Sequence, residues 1–368
     1  MRYFFSTGES SAELSATLLA RAIRQLDPAA QFSGIGAERM RAAGFTLAAR
    51  SDQWSSMGPI AALALIPRVL WASCGIITRL LRDQPDLLVL IDFGAFNLRL
   101  VGILRRLGYR RPILYFFPPG AWLDNPKVAC AVARLALPLT AFAHQRDFYR
   151  GLALPISFFG HPLVAEYRLR PARPAPPRDG GVIALLPGSR QGEVRFHLPV
   201  LLDAFTLLKR RRPNLRAVLG AANAQMQQSA RAQIAARNLT EIEVVLSAEN
   251  AYLQADAAWI ASGTAVLEAA LTGVPSIALY ILSKAQAKIA RRVYRGPAIT
   301  IPNLVLGRTI VPELLQEAAT PQNLADRMEE LLTDPQRQYG ELLDLRAALG
   351  PSDALAQAAA YAYELARA

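Results

Sequence analysis

The chain has 368 residues, of which 52% are hydrophobic and 19% are charged. This length suffices for about two domains with cores of their own, and the composition excludes a disordered or fibrous protein. Lys and Arg number 41 against 29 Asp and Glu, which gives a net charge of +12. The excess positive charge indicates an anionic partner: a nucleic acid, a phosphorylated small molecule or an acidic membrane surface.

Cysteine usage and the N-terminus indicate a reducing compartment. Cys74 and Cys130 are too few for a disulfide framework and lie in no zinc-binding pattern. The first residues lack the apolar stretch of a signal peptide, because Gly8, Glu9 and Ser10 interrupt it. We therefore expect a cytoplasmic protein without a bound metal.

The most lipophilic tract covers residues 60–81. Pro67, Arg68 and Arg79 interrupt it, so it lacks the ~20 continuous apolar residues that a membrane-spanning helix needs. Its apolar side chains with arginines at the edges suit a helix that lies on a bilayer. A buried helix packed on a sheet is the alternative.

Short apolar runs alternate with longer helical patterns along the chain. Pro, Gly or Asp bound the runs, as is typical of fully buried parallel strands, and they cover residues 87–91, 113–117, 156–159 and 182–186. Helical patterns occur at residues 14–26, 98–107, 198–212 and 267–271. This alternation predicts an α/β protein with parallel sheets.

Proline density at residues 170–181 is typical of a stiff, extended connector. We therefore predict two Rossmann-like domains, at 1–168 and 182–345, joined by a linker at 169–181. The helical pattern at 346–368 could pack back on the N-terminal domain.

Ligands of open α/β sheets bind beyond the carboxyl ends of strands, and two such places in the C-terminal half suit a nucleotide. Backbone amides around Gly188 and Ser189 can approach a phosphate, which Arg190 can hold with its guanidinium fork. A helix predicted to begin near Ser262, Gly263 and Thr264 suits a diphosphate, and Glu268 lies one turn further on the same face, where it could bind ribose hydroxyls. An ordinary turn and an ordinary capped helix are the alternatives.

Three places in the N-terminal half could carry chemistry. Asp92 follows a predicted strand, where a carboxylate with a raised pKa could act as general base, or else cap the next helix. The loop from Gly8 to Glu13 is either a sugar-binding loop or a capping motif. His161 also follows a strand, and it is either catalytic or part of the packing.

In their order along the chain, these segments resemble lipid-A-disaccharide synthase, an inverting glycosyltransferase family of the two-domain GT-B architecture. The matching segments are Gly8-Glu9 with Ser11, residues 32–36, Met57-Gly58, Ile91-Asp92, Phe96-Asn97, residues 159–163 (which include His161), Leu186-Pro187-Gly188-Ser189-Arg190, Ser262-Gly263-Thr264, Leu267-Glu268, Pro302-Asn303-Leu304 and residues 311–316. Any one of them could arise by chance, whereas the ordered set is specific.

The resemblance implies transfer of 2,3-diacylglucosamine from UDP to 2,3-diacylglucosamine 1-phosphate, which forms a β-1,6 disaccharide. It implies Asp92 as general base and Arg190, Thr264, Glu268 and Asn303 around the UDP. Gly8, Glu9, Ser11 and Asn97 fall in the acceptor-side half. No metal or cofactor is needed if Arg190 and helix amides neutralise the leaving diphosphate.

The family interpretation also accounts for the composition. Both substrates are anionic and acylated, so an apolar, Arg-edged tract at 57–81 would let the enzyme collect them from the acidic inner leaflet of the cytoplasmic membrane. The net positive charge is then explained without a nucleic-acid partner. The sequence also has no zinc-finger, helix-turn-helix or RNA-binding signature. Self-association stays open.

Four departures from the family pattern fall in the acceptor-side half. Ser-Gly-Asp becomes Ser11-Ala12-Glu13, and Asp-Ala-Pro-Asp-Phe-Asn becomes Asp92-Phe93-Gly94-Ala95-Phe96-Asn97, which removes the second carboxylate. The stretch at 117–123 and Ala143-His144-Gln145 also differ. These changes leave two alternatives: a nucleotide-sugar-binding relative with an altered acceptor or no turnover, and a UDP-sugar 2-epimerase, against which the scarcity of carboxylates and histidines argues.

Overall fold

The computed structural model describes residues 1–51, 73–119, 125–293 and 296–368. The chain divides into two compact units, of which unit 1 contains Met1–Glu166 and Leu349–Ala368, and unit 2 contains Tyr167–Ala348. Residues 60–72 of the lipophilic tract lie outside the described residues, as do the Met57-Gly58 motif and residues 120–123 of the departure at 117–123.

Unit 1 is built on a seven-stranded sheet in the order β3-β2-β1-β4-β5-β6-β7, with every pairing parallel. Its strands are β1 (Arg2–Ser6), β2 (Gln31–Gly36), β3 (Thr46–Arg50), β4 (Leu87–Ile91), β5 (Ile113–Phe116), β6 (Leu137–Thr140) and β7 (Ser157–Phe158). Its helices are α1 (Ser10–Leu26), α2 (Glu38–Ala42), α3 (described over 73–83), α4 (Gly94–Arg106), α5 (Pro126–Leu135), α6 (Ala143–Gly151) and α7 (Leu163–Glu166).

Strand β4 explains why this half of the sequence has continuous apolar runs. All five of its residues are buried, because helices cover both faces of a parallel sheet. On one face, α3 and α4 pack over the sheet through Ile76, Leu80, Leu100 and Leu104. The helical pattern at 73–81, the described end of the lipophilic tract, therefore contributes part of its surface to the core of unit 1.

Unit 2 repeats the arrangement with a six-stranded parallel sheet in the order β10-β9-β8-β11-β12-β13. Its strands are β8 (Gly180–Leu186), β9 (Asn214–Ala221), β10 (Ile242–Leu246), β11 (Ala257–Ala261), β12 (Ser276–Tyr280) and β13 (Glu313–Leu315). Its helices are α8 (Gln191–Arg211), α9 (Ala224–Ala235), α10 (Ala248–Tyr252), α11 (Thr264–Leu271), α12 (Lys284–Val293), α13 (Ile301–Leu306), α14 (Pro321–Thr333) and α15 (Pro335–Ala348). Two parallel sheets confirm the predicted α/β class.

The last helix, α16 (Ala354–Arg367), belongs to unit 1. It packs beside α1, and its Ala358, Ala359 and Ala362 enter the core of that unit. Small side chains on this face let the two helices approach closely. Unit 1 is thus made from both ends of the chain.

The proline-rich stretch at 169–181 is part of unit 2, which begins at Tyr167. Within it, Arg173 donates to the Ala255 carbonyl at 3.1 Å and to the Asp256 carboxylate at 3.3 Å. The proline-rich segment has no regular hydrogen-bond ladder. Side-chain contacts of this kind fix its path instead. The boundary at 166/167 lies a few residues before the predicted linker, and the boundary at 348/349 lies three residues after the predicted one at 345/346.

Candidate functional site

In unit 1, the loops after β1 and β4 lie side by side, because these two strands are paired. The loop after β4 contains Asp92 with φ 47° and Phe93 with φ 51°, both left-handed. For residues other than glycine this conformation costs about 1–2 kcal/mol each. Consecutive strained residues of this kind persist where surrounding groups fix them, and they cluster at functional sites.

Two side chains fix the Asp92 backbone. Asn97 Nδ2 and the Tyr115 hydroxyl donate to its carbonyl oxygen at 2.9 and 2.8 Å. The Ser6 hydroxyl in turn donates to Asn97 Oδ1 at 2.6 Å. Asn97 is fully buried, so the structure places this predicted acceptor-side residue beneath Asp92, where it positions the strand end. Tyr115 was not predicted, since a tyrosine inside an apolar strand gives no sequence signal of its role.

The charge state of Asp92 depends on its surroundings. Asp92 is exposed at the carboxyl end of β4, yet the protein around it removes part of the bulk water that would stabilise a charge. This desolvation raises the pKa of the Asp92 carboxyl, and the negative charge of Glu9 raises it further, while the Phe93 N–H lowers it. A carboxylate with a raised pKa suits a general base.

The Gly8 loop is shaped by an aromatic ring. A Cβ added at Gly8 would lie 2.4 Å from Phe93 Cδ2, so only glycine fits beneath that ring. Glu9 is the N-cap residue of α1, and Ser11 lies in its first turn. The structure therefore brings Gly8 and Glu9 to the same edge as Asp92.

His161 lies after β7 among aromatic side chains. Its ring centroid is 5.5 Å from that of Phe117 and 5.4 Å from that of Phe142, and only 4% of the residue is exposed. Nδ1 accepts the Leu163 N–H at 3.3 Å, which leaves the ring proton on Nε2. Burial lowers the pKa of His161 to about 3, so the ring is neutral near pH 7.

Gln145 occupies the place of one family departure. It is buried, accepts the Thr140 hydroxyl at 2.5 Å and donates to the Pro118 carbonyl at 3.0 Å. It therefore joins the loops after β5 and β6. The neutral amide satisfies a donor and an acceptor together, which a carboxylate could not do without a proton.

In unit 2, the loop after β8 contains Gly188, Ser189 and Arg190, and Glu193 holds it. The Glu193 carboxylate accepts the backbone N–H groups of Ser189 and Arg190 at 3.2 and 3.3 Å and pairs with the Arg190 guanidinium at 3.2 Å. The Tyr280 hydroxyl donates to the same carboxylate at 3.2 Å. Glu193 thus binds the Ser189 and Arg190 N–H groups, in the loop where the sequence predicted that backbone amides bind a phosphate.

His197 joins two loops at this edge and was not predicted as a site residue. Its Nδ1 contacts the Pro187 carbonyl at 2.8 Å, and its Nε2 accepts the Ile281 N–H at 2.9 Å. These contacts assign the proton to Nδ1, and burial lowers the pKa of His197. A polar residue on the buried face of α8, one turn from Val194 and Leu201, was the sequence signal that could have identified His197.

Helix α11 begins as predicted after a small-residue turn. Gly263 is its N-cap, and Ser262 is held by its N–H bond to Leu279 O at 2.9 Å. Thr264 and Glu268 are both half-buried on this helix. Tyr167 donates a hydrogen bond to Glu268, and burial together with that carboxylate raises the pKa of Tyr167.

Asn303 is committed to the protein itself. Its Nδ2 donates to Val311 O and Glu313 Oε1, both at 2.8 Å, and its Oδ1 accepts the N–H groups of Ile310 and Val311 at 2.8 and 2.9 Å. Glu313 also accepts the Thr300 N–H at 2.9 Å. Asn303 and Glu313 therefore fix the loop before α13.

That loop lies beside the beginning of α11. The Ser262 hydroxyl donates to Ile299 O at 3.5 Å, and Glu313 Oε2 accepts the Ile299 N–H at 3.0 Å. The predicted nucleotide residues Ser262 and Asn303 thus belong to connected parts of one sheet edge, although the Asn303 amide has no donor left over.

Neither a metal cluster nor a membrane-spanning helix occurs in the described residues. No three His, Cys, Asp or Glu side chains in these ranges come together as metal ligands. None of the helices described is both long and apolar enough to cross a bilayer.

Comparison with solved structures defines the class. MurG of Acinetobacter baumannii shares the fold with a TM-score of 0.57 and 14% identity, covering 100% of this chain and 99% of that one. UDP-GlcNAc 2-epimerase of Neisseria meningitidis, bound to UDP-GlcNAc, matches with a TM-score of 0.59 and 11% identity over 96% and 97% of the two chains. At these identities the likeness concerns the fold alone, and the fold is that of GT-B glycosyltransferases.

Sequence comparison then gives the family. The family model of lipid-A-disaccharide synthetase matches residues 3–354. Lipid-A-disaccharide synthase of Pseudomonas aeruginosa strain UCBPP-PA14 is 34% identical over 367 residues, which covers 98% of this chain and 96% of the relative. The chain belongs to the lipid-A-disaccharide synthase family and is a glycosyltransferase, as the resemblance predicted. The alternative of a 2-epimerase rests on the shared fold only.

Proposed function

We propose that the protein transfers 2,3-diacylglucosamine from its UDP donor to 2,3-diacylglucosamine 1-phosphate, with inversion, and so forms the β-1,6 lipid A disaccharide. Family membership supports the reaction type. The assignment to particular residues depends on one observation: Asp92 has a raised pKa and lies in a strained loop at the carboxyl end of β4.

Asp92 is the general base in this proposal. It takes the proton of the acceptor 6-hydroxyl while that oxygen forms a bond to the anomeric carbon of the donor. The bond from this carbon to the diphosphate oxygen breaks, and UDP leaves with the electron pair. The raised pKa makes the carboxylate a stronger base for this proton.

Unit 2 binds the UDP in this proposal. The diphosphate replaces the Glu193 carboxylate at the Ser189 N–H and the Arg190 guanidinium, and it lies against the Gly188 amide. The N-terminus of α11 at Ser262, Gly263 and Thr264 adds its partial positive charge. Glu268 accepts the ribose hydroxyls. Because Glu193 pairs with Arg190 in the structure, the diphosphate competes with this carboxylate for the guanidinium.

Two predicted residues act through the scaffold. Asn303 positions the loop beside Ser262, because its amide is already bonded to Val311 and Glu313. His161 belongs to the packing of the acceptor-side edge, since a neutral buried ring with a pKa of about 3 exchanges no proton near pH 7. The negative charge of Glu9 raises the pKa of Asp92, and Ser11 lies in the first turn of α1.

The test is incubation of the purified protein with both acylated sugars in detergent with EDTA, followed by mass spectrometry of the disaccharide 1-phosphate. We expect product from the natural chain, and loss of product with retained UDP binding for Asp92→Asn. UDP binding without any product from the natural chain would favour an altered acceptor or a non-catalytic relative, as the absence of a second carboxylate at Ala95 allows.

Contact with the inner face of the cytoplasmic membrane is part of the proposal, and α4 supports it. Residues 93–123 contain five arginines and no acidic residue. On the outer face of α4 and the following turn, Ile103 is 41% and Leu107 57% exposed, next to the exposed Arg99, Arg106 and Arg110. Among the described residues these three arginines form no salt bridge. Such a face suits an anionic bilayer.

Vesicle sedimentation tests this surface. Binding to vesicles with anionic phospholipid should fall about thirtyfold for the double variant Arg106→Gln/Arg110→Gln, since each basic residue near the surface contributes about 1 kcal/mol. Arg231→Gln, at an exposed position of α9 in unit 2, is the matched control. Equal loss in the control, or tighter binding of the natural chain to RNA than to vesicles, would contradict the proposal.

A further inference from the structure

Glu193 binds more hydrogen-bond donors than a helix cap needs. As the third residue of α8 it accepts the Arg190 N–H at 3.3 Å, which is the ordinary bond of an N-terminal capping box. Its carboxylate also accepts the Ser189 N–H, the Arg190 guanidinium and the Tyr280 hydroxyl, each at 3.2 Å. Capping does not explain these further partners.

The donors come from two strand ends that flank a third. Ser189 and Arg190 follow β8, and Tyr280 is the last residue of β12. Strand β11 lies between β8 and β12 in the sheet, and α11 begins just beyond its end. The Glu193 carboxylate therefore lies where N–H, guanidinium and hydroxyl donors at the carboxyl edge of unit 2 converge.

The Glu193 carboxylate binds these donors as a phosphate group would. Both groups carry negative charge and acceptor oxygens, and proteins bind phosphates with guanidinium groups and with backbone N–H groups at the beginning of a helix. The side chain of Glu193 is 16% exposed and that of Arg190 is 54% exposed. An incoming anion can therefore reach the guanidinium from solvent, but it must displace a carboxylate that is already bound there.

We propose that Glu193 promotes release of the UDP product, because its carboxylate takes back the loop donors and its negative charge lowers the affinity of the protein for UDP. This inference rests on the proposed binding of UDP by unit 2. Tyr280 belongs to another strand, so its hydroxyl can hold the carboxylate while UDP occupies the loop. When UDP leaves, Glu193 keeps the empty loop assembled for the next donor molecule.

UDP titration of Glu193→Gln tests the proposal. The glutamine keeps an oxygen for the Ser189 and Arg190 N–H groups, but it has no charge for the guanidinium. UDP affinity should rise about tenfold, which is the gain expected if the carboxylate occupies the loop about 90% of the time. The inhibition constant of UDP as a product should fall by the same factor.

Two further variants accompany this titration. Glu243→Gln, which removes an exposed carboxylate from β10, is the matched control and should leave UDP affinity unchanged. Glu193→Ala should gain less than Glu193→Gln, since it also leaves the loop N–H groups without their acceptor. Urea denaturation reports whether each variant is folded. Unchanged or weaker UDP binding in both Glu193 variants, or an equal gain in Glu243→Gln, would overturn the proposal.

A ligand series locates the competition at the diphosphate. Inorganic pyrophosphate carries the anion alone, so it should bind Glu193→Gln more tightly than the natural chain, as UDP does. Uridine has no phosphate, and its affinity should be the same for both chains. An equal gain for uridine would overturn the proposal, because it would indicate a general change of the loop. The expected gain for UDP without any disaccharide product would support this inference and contradict the proposed reaction alone.

Discussion

Gly188 and Glu193 fit together so closely that a Cβ added at Gly188 would lie 2.6 Å from Glu193 Oε2. The φ of Gly188 is 116°, which side chains other than glycine rarely adopt. The carboxylate can therefore reach the Ser189 and Arg190 amides only because position 188 has no side chain. This pair fixes the loop proposed to bind the diphosphate.

Gly188→Ala should thus lower the free energy of unfolding by roughly 1–3 kcal/mol, because it adds backbone strain and a clash with Glu193. UDP affinity should fall with it, since the loop amides move. Urea denaturation and UDP titration measure the two effects. Gly180→Ala, at the first residue of β8, is the control, because its Cβ would meet Asn214 Cβ at an ordinary 3.6 Å. Equal effects at both positions would contradict the prediction.

Glu9→Gln should move the acidic limb of the kcat/KM profile to lower pH. A general base works in its ionised form, so activity falls as the pH falls through its pKa. Desolvation first and the Glu9 charge second raise the pKa of Asp92. Removing the Glu9 charge lowers that pKa. Glu38→Gln, at an exposed position paired with Arg41, should leave the limb in place.

An unchanged limb in Glu9→Gln would show that another group limits the rate on the acidic side. A limb that shifts equally in Glu9→Gln and Glu38→Gln would instead point to the net charge of the unit. Either result would count against Asp92 as the base whose protonation sets this limb.

His161→Leu should flatten the pH dependence of stability below neutral pH. The folded-state pKa of His161 is about 3, below the ordinary value of 6.5, because the ring is buried. The unfolded chain therefore binds this proton first as pH falls, and stability is lost through this window at up to about 1.4 kcal/mol per pH unit. Urea denaturation at about pH 5 and about pH 7.5 measures the difference.

His144→Leu, at a half-buried histidine on the same sheet edge, is the control for His161. It should change the pH dependence less than His161→Leu does. A large loss of kcat in His161→Leu with unchanged stability and UDP affinity would restore the catalytic interpretation of His161.

Asn303→Ala should lower the free energy of unfolding by roughly 2–4 kcal/mol, because it leaves buried amides of Ile310 and Val311 without partners. Asn303→Asp should also destabilise, and more at neutral than at acidic pH, since it sets a second carboxylate against Glu313. Thermal or urea denaturation measures both variants. The exposed Asn323→Ala is the control, and an equally small effect of all three would contradict the network described here.

The sheets and the loops at their carboxyl ends could be predicted because their signals are local. The run at 87–91 is continuous and apolar because β4 is buried on both faces, and Asp92 follows directly. The α11 turn at Ser262 and Gly263 is equally local. Residues that act at a distance gave no such signal. Tyr115 reaches Asp92 from the next strand, and His197 accepts a hydrogen bond from Ile281, 84 residues away in the sequence.

The structure also shows how two residues with roles left open by residue type alone are held. Asn97 and Asn303 were expected near substrates, and the structure commits both of their amides to backbone carbonyls. A sequence pattern marks such a position without saying whether its side chain faces a ligand or a neighbouring loop. Only the hydrogen-bond partners distinguish a group that binds from one that positions.

The course of the chain through unit 1 has a consequence for synthesis. Residues 167–348 form unit 2 as one continuous segment, whereas unit 1 needs α16, which follows unit 2 in the sequence, to cover α1. On the ribosome, the sheet that carries Asp92 emerges first, yet its core stays open until α16 has been synthesised. Domains fold as units during synthesis, so the second half of this protein can mature before the first.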